Sequence, residues 1–118
     1  MTVRRRSLLV LVGAAVVTPA AAHHGWSSYD AATVLTIKGP IVESRYVNPH
    51  GEIVLEYQGK KWTATLAPVS RMENRALPRE DLAVGKVVTV VGYPSRVQAN
   101  EMRAERITTQ DGKTVELR

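Results

Sequence analysis

From Thr33 to Val47 apolar and polar side chains alternate, and Gly39-Pro40 interrupts the run. A period of two rich in β-branched residues predicts one long strand, bent or bulged at the glycine. Asn48-Pro49-His50-Gly51 is dense in turn formers. Alternation resumes over 52–57, Gln58-Gly59-Lys60 turns the chain, and 61–66 forms a third run. Three antiparallel strands in a meander are expected. The pattern then breaks at 68–77, where Pro68 suits a first helical turn and Val69, Met72 and Leu77 share an inward face. A short helix ending before Pro78 fits. After a polar approach at 80–86, Val87-Val88-Thr89-Val90-Val91-Gly92-Tyr93 is the most apolar strand and is expected to be central. A loop at 94–100 leads to two last runs, 101–108 and 114–117, around the hairpin-type turn Asp111-Gly112.

Three strands, a short helix, then two or three strands is the order of a small OB-like Greek-key barrel. The expected fold is therefore all-β with one short helix and five to six strands. The long first strand would serve both sides of the barrel, and the helix would plug one end between strands three and four. A plain β-sandwich ordinarily has more strands.

The residues ahead of the barrel follow a different logic. Arg4-Arg5-Arg6 precedes an apolar run over 7–17, Thr18-Pro19 breaks that run, and Ala20-Ala21-Ala22 offers small residues for cleavage. This is the layout of a secretory signal peptide, and the run is shorter than the roughly 20 apolar residues of a permanent span. Arg5-Arg6-Ser7-Leu8-Leu9 also approaches a twin-arginine signal, although Arg4 stands where such signals carry Ser or Thr. Expected divisions are a signal peptide over 1–22, an extended lead-in over 23–32 and the barrel over 33–118. The expected compartment is the bacterial periplasm, reached by the general secretory or the twin-arginine route, with membrane contact only during export.

That division changes the meaning of the charge. The whole chain is +5, with 16 basic and 11 acidic residues. Three of the basic residues and none of the acidic ones fall in 1–22, which leaves 13 against 11, or +2, for the remainder. Nucleic-acid binding thereby loses its compositional support. There is no cysteine, which excludes disulfides, thiolate zinc sites and c-type haem attachment.

A resemblance adds to this. His23-His24-Gly25-Trp26, Gly39-Pro40-Ile41-Val42, Asn48-Pro49-His50, Gly92-Tyr93-Pro94, Arg103-Ala104 and Asp111-Gly112 together resemble an uncharacterised bacterial exported family, domain-of-unknown-function family 6152. Its members begin, after the signal, with a similar His-His-Ser/Gly-aromatic stretch and share the Asn-Pro-His turn. The resemblance covers essentially the whole mature chain. It implies a small periplasmic OB-like domain and brings no activity with it.

The three histidines are the sharpest chemical candidates. Cleavage after Ala22 would make His23 the first residue, whose amino group and ring nitrogen can chelate one metal, with His24 or His50 supplying a third nitrogen. Cleavage after Ala21 would place His23 second and His24 third from a free amine, and a histidine in third place can wrap copper(II) or nickel(II) with deprotonated backbone amides. Nitrogen donors of this kind favour copper(II); zinc would need the same histidines and a carboxylate such as Asp30. The expected metal set is His23, His24 and His50, with copper as the ion. The plainer alternative is a solvated terminus and a polar turn residue. Met72 and Met102 are expected in the core rather than as soft ligands.

Catalytic motifs are missing. No Gly-x-Ser-x-Gly elbow, phosphate-cradling loop or dinucleotide fingerprint occurs, and Glu52 and Glu56, though on one face of a strand, are expected to be solvated. A non-catalytic protein is expected. The competing expectation is a binding or accessory module whose barrel face, with Arg45, Tyr57, Lys60, Lys61 and Trp62, meets a small ligand, a peptide or a periplasmic protein partner. Against it stands the ordinary role of Trp62 as half-buried core and of the lysines as solvating charge.

Overall fold

The structure is a computed structural model that describes residue 13 and residues 26–118. The expected signal peptide, together with His23 and His24, lies outside the described residues. Six strands and one α-helix follow in chain order: β1 Leu35–Arg45, β2 Glu52–Tyr57, β3 Lys60–Thr65, α1 Val69–Asn74, β4 Val87–Pro94, β5 Glu101–Thr108 and β6 Thr114–Glu116. The sheet order is β3-β2-β1-β4-β5-β6, and a parallel pairing of β3 with β5 closes the first five strands into a barrel. This is the small OB-like barrel that the order of runs predicts, with β6 added outside the closed ring. The polar approach at 80–86 is partly ordered as a 3-10 turn, Arg79–Leu82.

β1 does serve two neighbours. Its first half, Leu35 to Pro40, pairs with β4, and its second half, from Ile41, pairs with β2 across a bulge between Ile41 and Glu43. Gly39-Pro40 sits at the changeover. A Cβ on Gly39 would collide with the backbone carbonyl oxygen of Glu56, so only glycine permits β1 to cross β2 this closely.

Alternation sends Ile37, Ile41, Ile53, Leu55, Ala64, Leu66, Val88, Val90, Met102, Ala104 and Ile107 inward, where they form one buried cluster. α1 closes one end of it through Met72, and Leu77 and Leu82 are buried with it. Both candidate methionines are thus core residues, each 0% exposed. The Tyr46 hydroxyl donates to the Leu77 carbonyl at 2.6 Å, and the Arg79 guanidinium lies 5.2 Å from the Tyr46 ring centre. These contacts tie the end of β1 to the chain leaving α1. Arg71 Nη1 donates to the Leu117 carbonyl at 3.0 Å and Arg75 Nη1 to the Glu116 carbonyl at 2.6 Å, which holds the C-terminal segment against the helix.

Candidate ligand-binding cleft

Strand registers place Arg45 opposite Glu52, Glu52 opposite Thr65, and Thr65 opposite Arg103. Because the flanking Ile53, Ala64, Met102 and Ala104 point into the barrel, alternation turns the row itself outward. A polar band therefore crosses β1, β2, β3 and β5 on the outer wall. The β1–β2 loop overhangs one side of it with Val47, Asn48, Pro49 and His50, and the Asn48–Pro49 peptide is cis. Together with Tyr29, Glu101 and Arg118 these residues line a cleft of about 300 Å³, at the small end of the range for ligand pockets.

The loop is held from below. Gly51 N–H donates to the Ala67 carbonyl at 2.8 Å, and Leu66 N–H donates to the Gly51 carbonyl at 2.8 Å. Gly51 is buried against Met72, and a Cβ there would meet the Met72 side chain. The end of the loop that carries His50 is thus locked to the segment between β3 and α1.

The far side of the cleft is built by the segment expected to be an extended lead-in. A 3-10 turn at Trp26–Ser28 leads to Tyr29, which forms a bridge with Ser95. Asp30 N–H donates to the Pro94 carbonyl at 2.9 Å, and Arg96 N–H donates to the Ser28 carbonyl at 2.8 Å. Tyr29 is only 5% exposed, and its hydroxyl lies 3.5 Å from a Glu101 carboxylate oxygen. Burial, then the Glu101 charge, raises the phenol above its usual range. Asp30, the carboxylate considered for zinc, accepts from Thr33 Oγ1 at 2.6 Å and from Ala32 N–H at 3.1 Å, and lies 3.6 Å from Arg96. The Thr33 and Ala32 hydrogen bonds lower its pKa, and both bonds are made within its own turn.

Arg118 also lines the cleft, and its Nη2 donates to the carbonyls of Leu66 and Ala104 at 2.9 and 2.8 Å. Burial, and next the charge of Arg103, pushes its pKa down to about 10. Burial lowers Arg103 as well, with Arg71 adding repulsion. The charge of Glu105 partly offsets these effects on both guanidiniums.

Of the sequence candidates, Arg45 and His50 lie in the cleft, joined by Glu52, which had been expected to be solvated. Tyr57, Lys60, Lys61 and Trp62 do not line it: Tyr57 and Trp62 pack partly buried against the core, and the lysines are exposed on the β2–β3 hairpin. Among the described residues no three of His, Asp and Glu are grouped to hold a metal, so His50 would need donors from His23 and His24. Tyr29, Thr65, Glu101, Arg103 and Arg118 escaped the sequence reading. The outward alternation of Thr65, Glu101 and Arg103 was readable, but their meeting depends on barrel closure.

Fold and cleft define a small OB-like barrel with a polar surface cleft beside its β1–β2 loop. The model of a family of unknown function (DUF6152) matches residues 11–103, and the chain belongs to that family. No curated protein matches the chain.

Proposed function

We propose that this chain is an exported, non-catalytic binding module and that its ligand enters the cleft beside the β1–β2 loop. The observation that carries this is the row Arg45–Glu52–Thr65–Arg103, which runs across four strands as the cleft's wall. Rigid strands fix such groups better than loops do, and both charge signs are offered within a volume suited to a small molecule. Export rests on the basic, apolar and small-residue order of 1–22. The test is amide chemical-shift mapping of the mature protein against a panel of neutral sugars, amino acids and small carboxylates. At least one should move a cluster comprising Asn48, His50, Thr65 and Arg103. Shifts confined to Tyr57, Lys60, Lys61 and Trp62 would return the site to the hairpin face and sink the proposal.

Copper binding through His23, His24 and His50 is the second reading, favoured by one observation. Tyr29 and His50 line the same cleft, and two extended steps at about 3.6 Å followed by the 3-10 turn at about 2 Å per residue reach up to about 13 Å from His24 to Tyr29. The lead-in is thus anchored within range of His50. Native mass spectrometry of tag-free mature protein with one equivalent of copper beside a competing chelator tests it. Retention of one ion, lost in the His23→Ala/His24→Ala double variant, is expected; equal retention in that variant would remove the idea.

A further inference from the structure

We infer that residues 26–30 form a strap that gates the cleft, opening as a unit while the barrel stays folded, with Arg96 as the residue that latches it. The inference rests on the cleft being the binding site, because the strap supplies one of its walls. Tyr29 is the strap's part in that wall. It lines the cleft together with Thr65, Glu101 and Arg103, and its hydroxyl lies 3.5 Å from a Glu101 carboxylate oxygen. Tyr29 is buried, yet it stands outside the apolar cluster that fills the barrel. Withdrawing it from the wall therefore leaves that cluster intact. A segment fixed by surface hydrogen bonds rather than by core packing opens at a lower free energy than the whole fold.

The strap and the loop that holds it are secured differently. Ala31, Ala32, Thr33 and Val34, which join the strap to β1, are all exposed. The Asp30 carboxylate accepts from Ala32 N–H and Thr33 Oγ1 within its own turn, so that turn can leave with the strap. Across to the β4–β5 loop, Asp30 N–H donates to the Pro94 carbonyl at 2.9 Å and Arg96 N–H to the Ser28 carbonyl at 2.8 Å, one on each side of the Tyr29–Ser95 bridge. The loop is braced without the strap. Ser95 N–H donates to the Glu101 carbonyl at 2.8 Å, and Ser95 Oγ accepts from Val97 and Gln98 N–H at 3.2 and 3.0 Å. Arg96 thus stands on a fixed post, and its side chain reaches the strap twice more. Its Nε donates to the Tyr29 carbonyl at 3.3 Å, and Nη2 lies 3.6 Å from Asp30 Oδ1. Backbone and side chain of this one residue therefore grip Ser28, Tyr29 and Asp30 in succession. The Arg96 side chain is 57% exposed and takes no part in the core. When the grip is released, the phenol leaves the wall and that side of the cleft opens to solutes.

The experiment uses the mature protein without any ligand, so its outcome is separate from that of the binding panel. Native-state hydrogen exchange compares the Asp30 amide with the Leu66 amide, which donates to the Gly51 carbonyl at the end of the barrel. Brief treatment with tetranitromethane, read by peptide mass spectrometry, compares nitration of Tyr29 with that of Tyr46, two side chains of nearly equal exposure at 5% and 6%. Asp30 is expected to be protected about tenfold less than Leu66 or weaker still, and Tyr29 to be nitrated about tenfold faster than Tyr46 or more. Arg96→Ala removes one charge-assisted hydrogen bond and one exposed ion pair, and should speed both strap signals about fivefold or more while Leu66 and Tyr46 stay within about twofold of the parent. Arg96→Lys keeps a charge near Asp30 without the Nε donor and should fall between. If Asp30 is protected as strongly as Leu66, the strap opens only with the barrel and the inference is overturned. It is equally overturned if Arg96→Ala leaves Asp30 exchange unchanged or speeds Leu66 in step with it. Faster Asp30 exchange without faster Tyr29 nitration would mean that the phenol stays in the wall, and would sink the gate.

Discussion

Gly51 and Met72 provide a quantitative test of how the loop carrying His50 is seated. Met72 is 0% exposed at the end of the barrel, and truncating a buried methionine to alanine ordinarily costs about 2–5 kcal/mol. Gly51 has no room for a methyl group: an added Cβ would strike the Met72 methyl, with the Met72 sulfur 3.2 Å away and the Ala67 carbonyl oxygen at 3.5 Å. Gly51→Ala is therefore an overpacking change, expected to cost about 1–3 kcal/mol. The obstacle is nearly all Met72, so combining Gly51→Ala with Met72→Ala lets the new methyl occupy part of the vacated space. The double variant should be about 1–2 kcal/mol more stable than the sum of the single losses, within the usual coupling of touching residues. Urea unfolding followed by tryptophan fluorescence gives all three differences. Additivity within about 0.5 kcal/mol would refute the claim that Met72 is what excludes a side chain at 51. The same variants report on the cleft. Gly51→Ala alone should shift the His50 amide, because the two backbone bonds of Gly51, to Ala67 and Leu66, must adjust, and the second substitution should restore it.

Two further outcomes follow from the same geometry. Tyr46→Phe removes the donor to the buried Leu77 carbonyl and should cost about 1–3 kcal/mol, the penalty for leaving a buried acceptor unsatisfied; a loss below about 0.3 kcal/mol by urea unfolding would show that water or another donor takes over. At alkaline pH, Tyr29 and Arg118 act in opposite directions. The folded pKa of Tyr29 is raised, so its contribution is whole below about pH 10 and is lost as pH climbs through the folded value. Arg118 is lowered to about 10, so the unfolded chain holds that proton longer and stability gains with pH above that point. Comparing the parent with Tyr29→Phe isolates the phenol: the parent's advantage should shrink between about pH 9 and about pH 11, and a constant difference would contradict the assignment.

Much of the barrel is legible in the chain because strand alternation is local. Each of Ile37, Ile53, Leu55, Val88, Val90 and Ile107 announces its inward face through its own neighbours, and the structure buries each of them. The bend at Gly39-Pro40 and the turn at Asn48 to Gly51 are local for the same reason: glycine and proline restrict or release the backbone where they stand. Candidate chemistry was less legible. His50 could be singled out as a histidine within a recognisable turn and Arg45 as a charge on the barrel face, whereas Tyr57 and Trp62, candidates on that same face, pack partly buried against the core, the plainer role already open to Trp62.

What the sequence by itself determined was the set of strands, the helix between the third and fourth, and the order that makes an OB-like barrel of them. Only tertiary structure decided which polar residues meet. The parallel pairing of β3 with β5 joins Thr65 to Arg103, and packing of the C-terminal segment brings Arg118 to the carbonyls of Leu66 and Ala104. The bridge from Tyr29 to Ser95 turns a lead-in without periodicity into a wall of the cleft. Those contacts join positions 14 to 66 residues apart, and no local preference encodes them. They exist because closing the barrel buries its apolar face, and that closure carries the outward-facing side chains to wherever the registers place them.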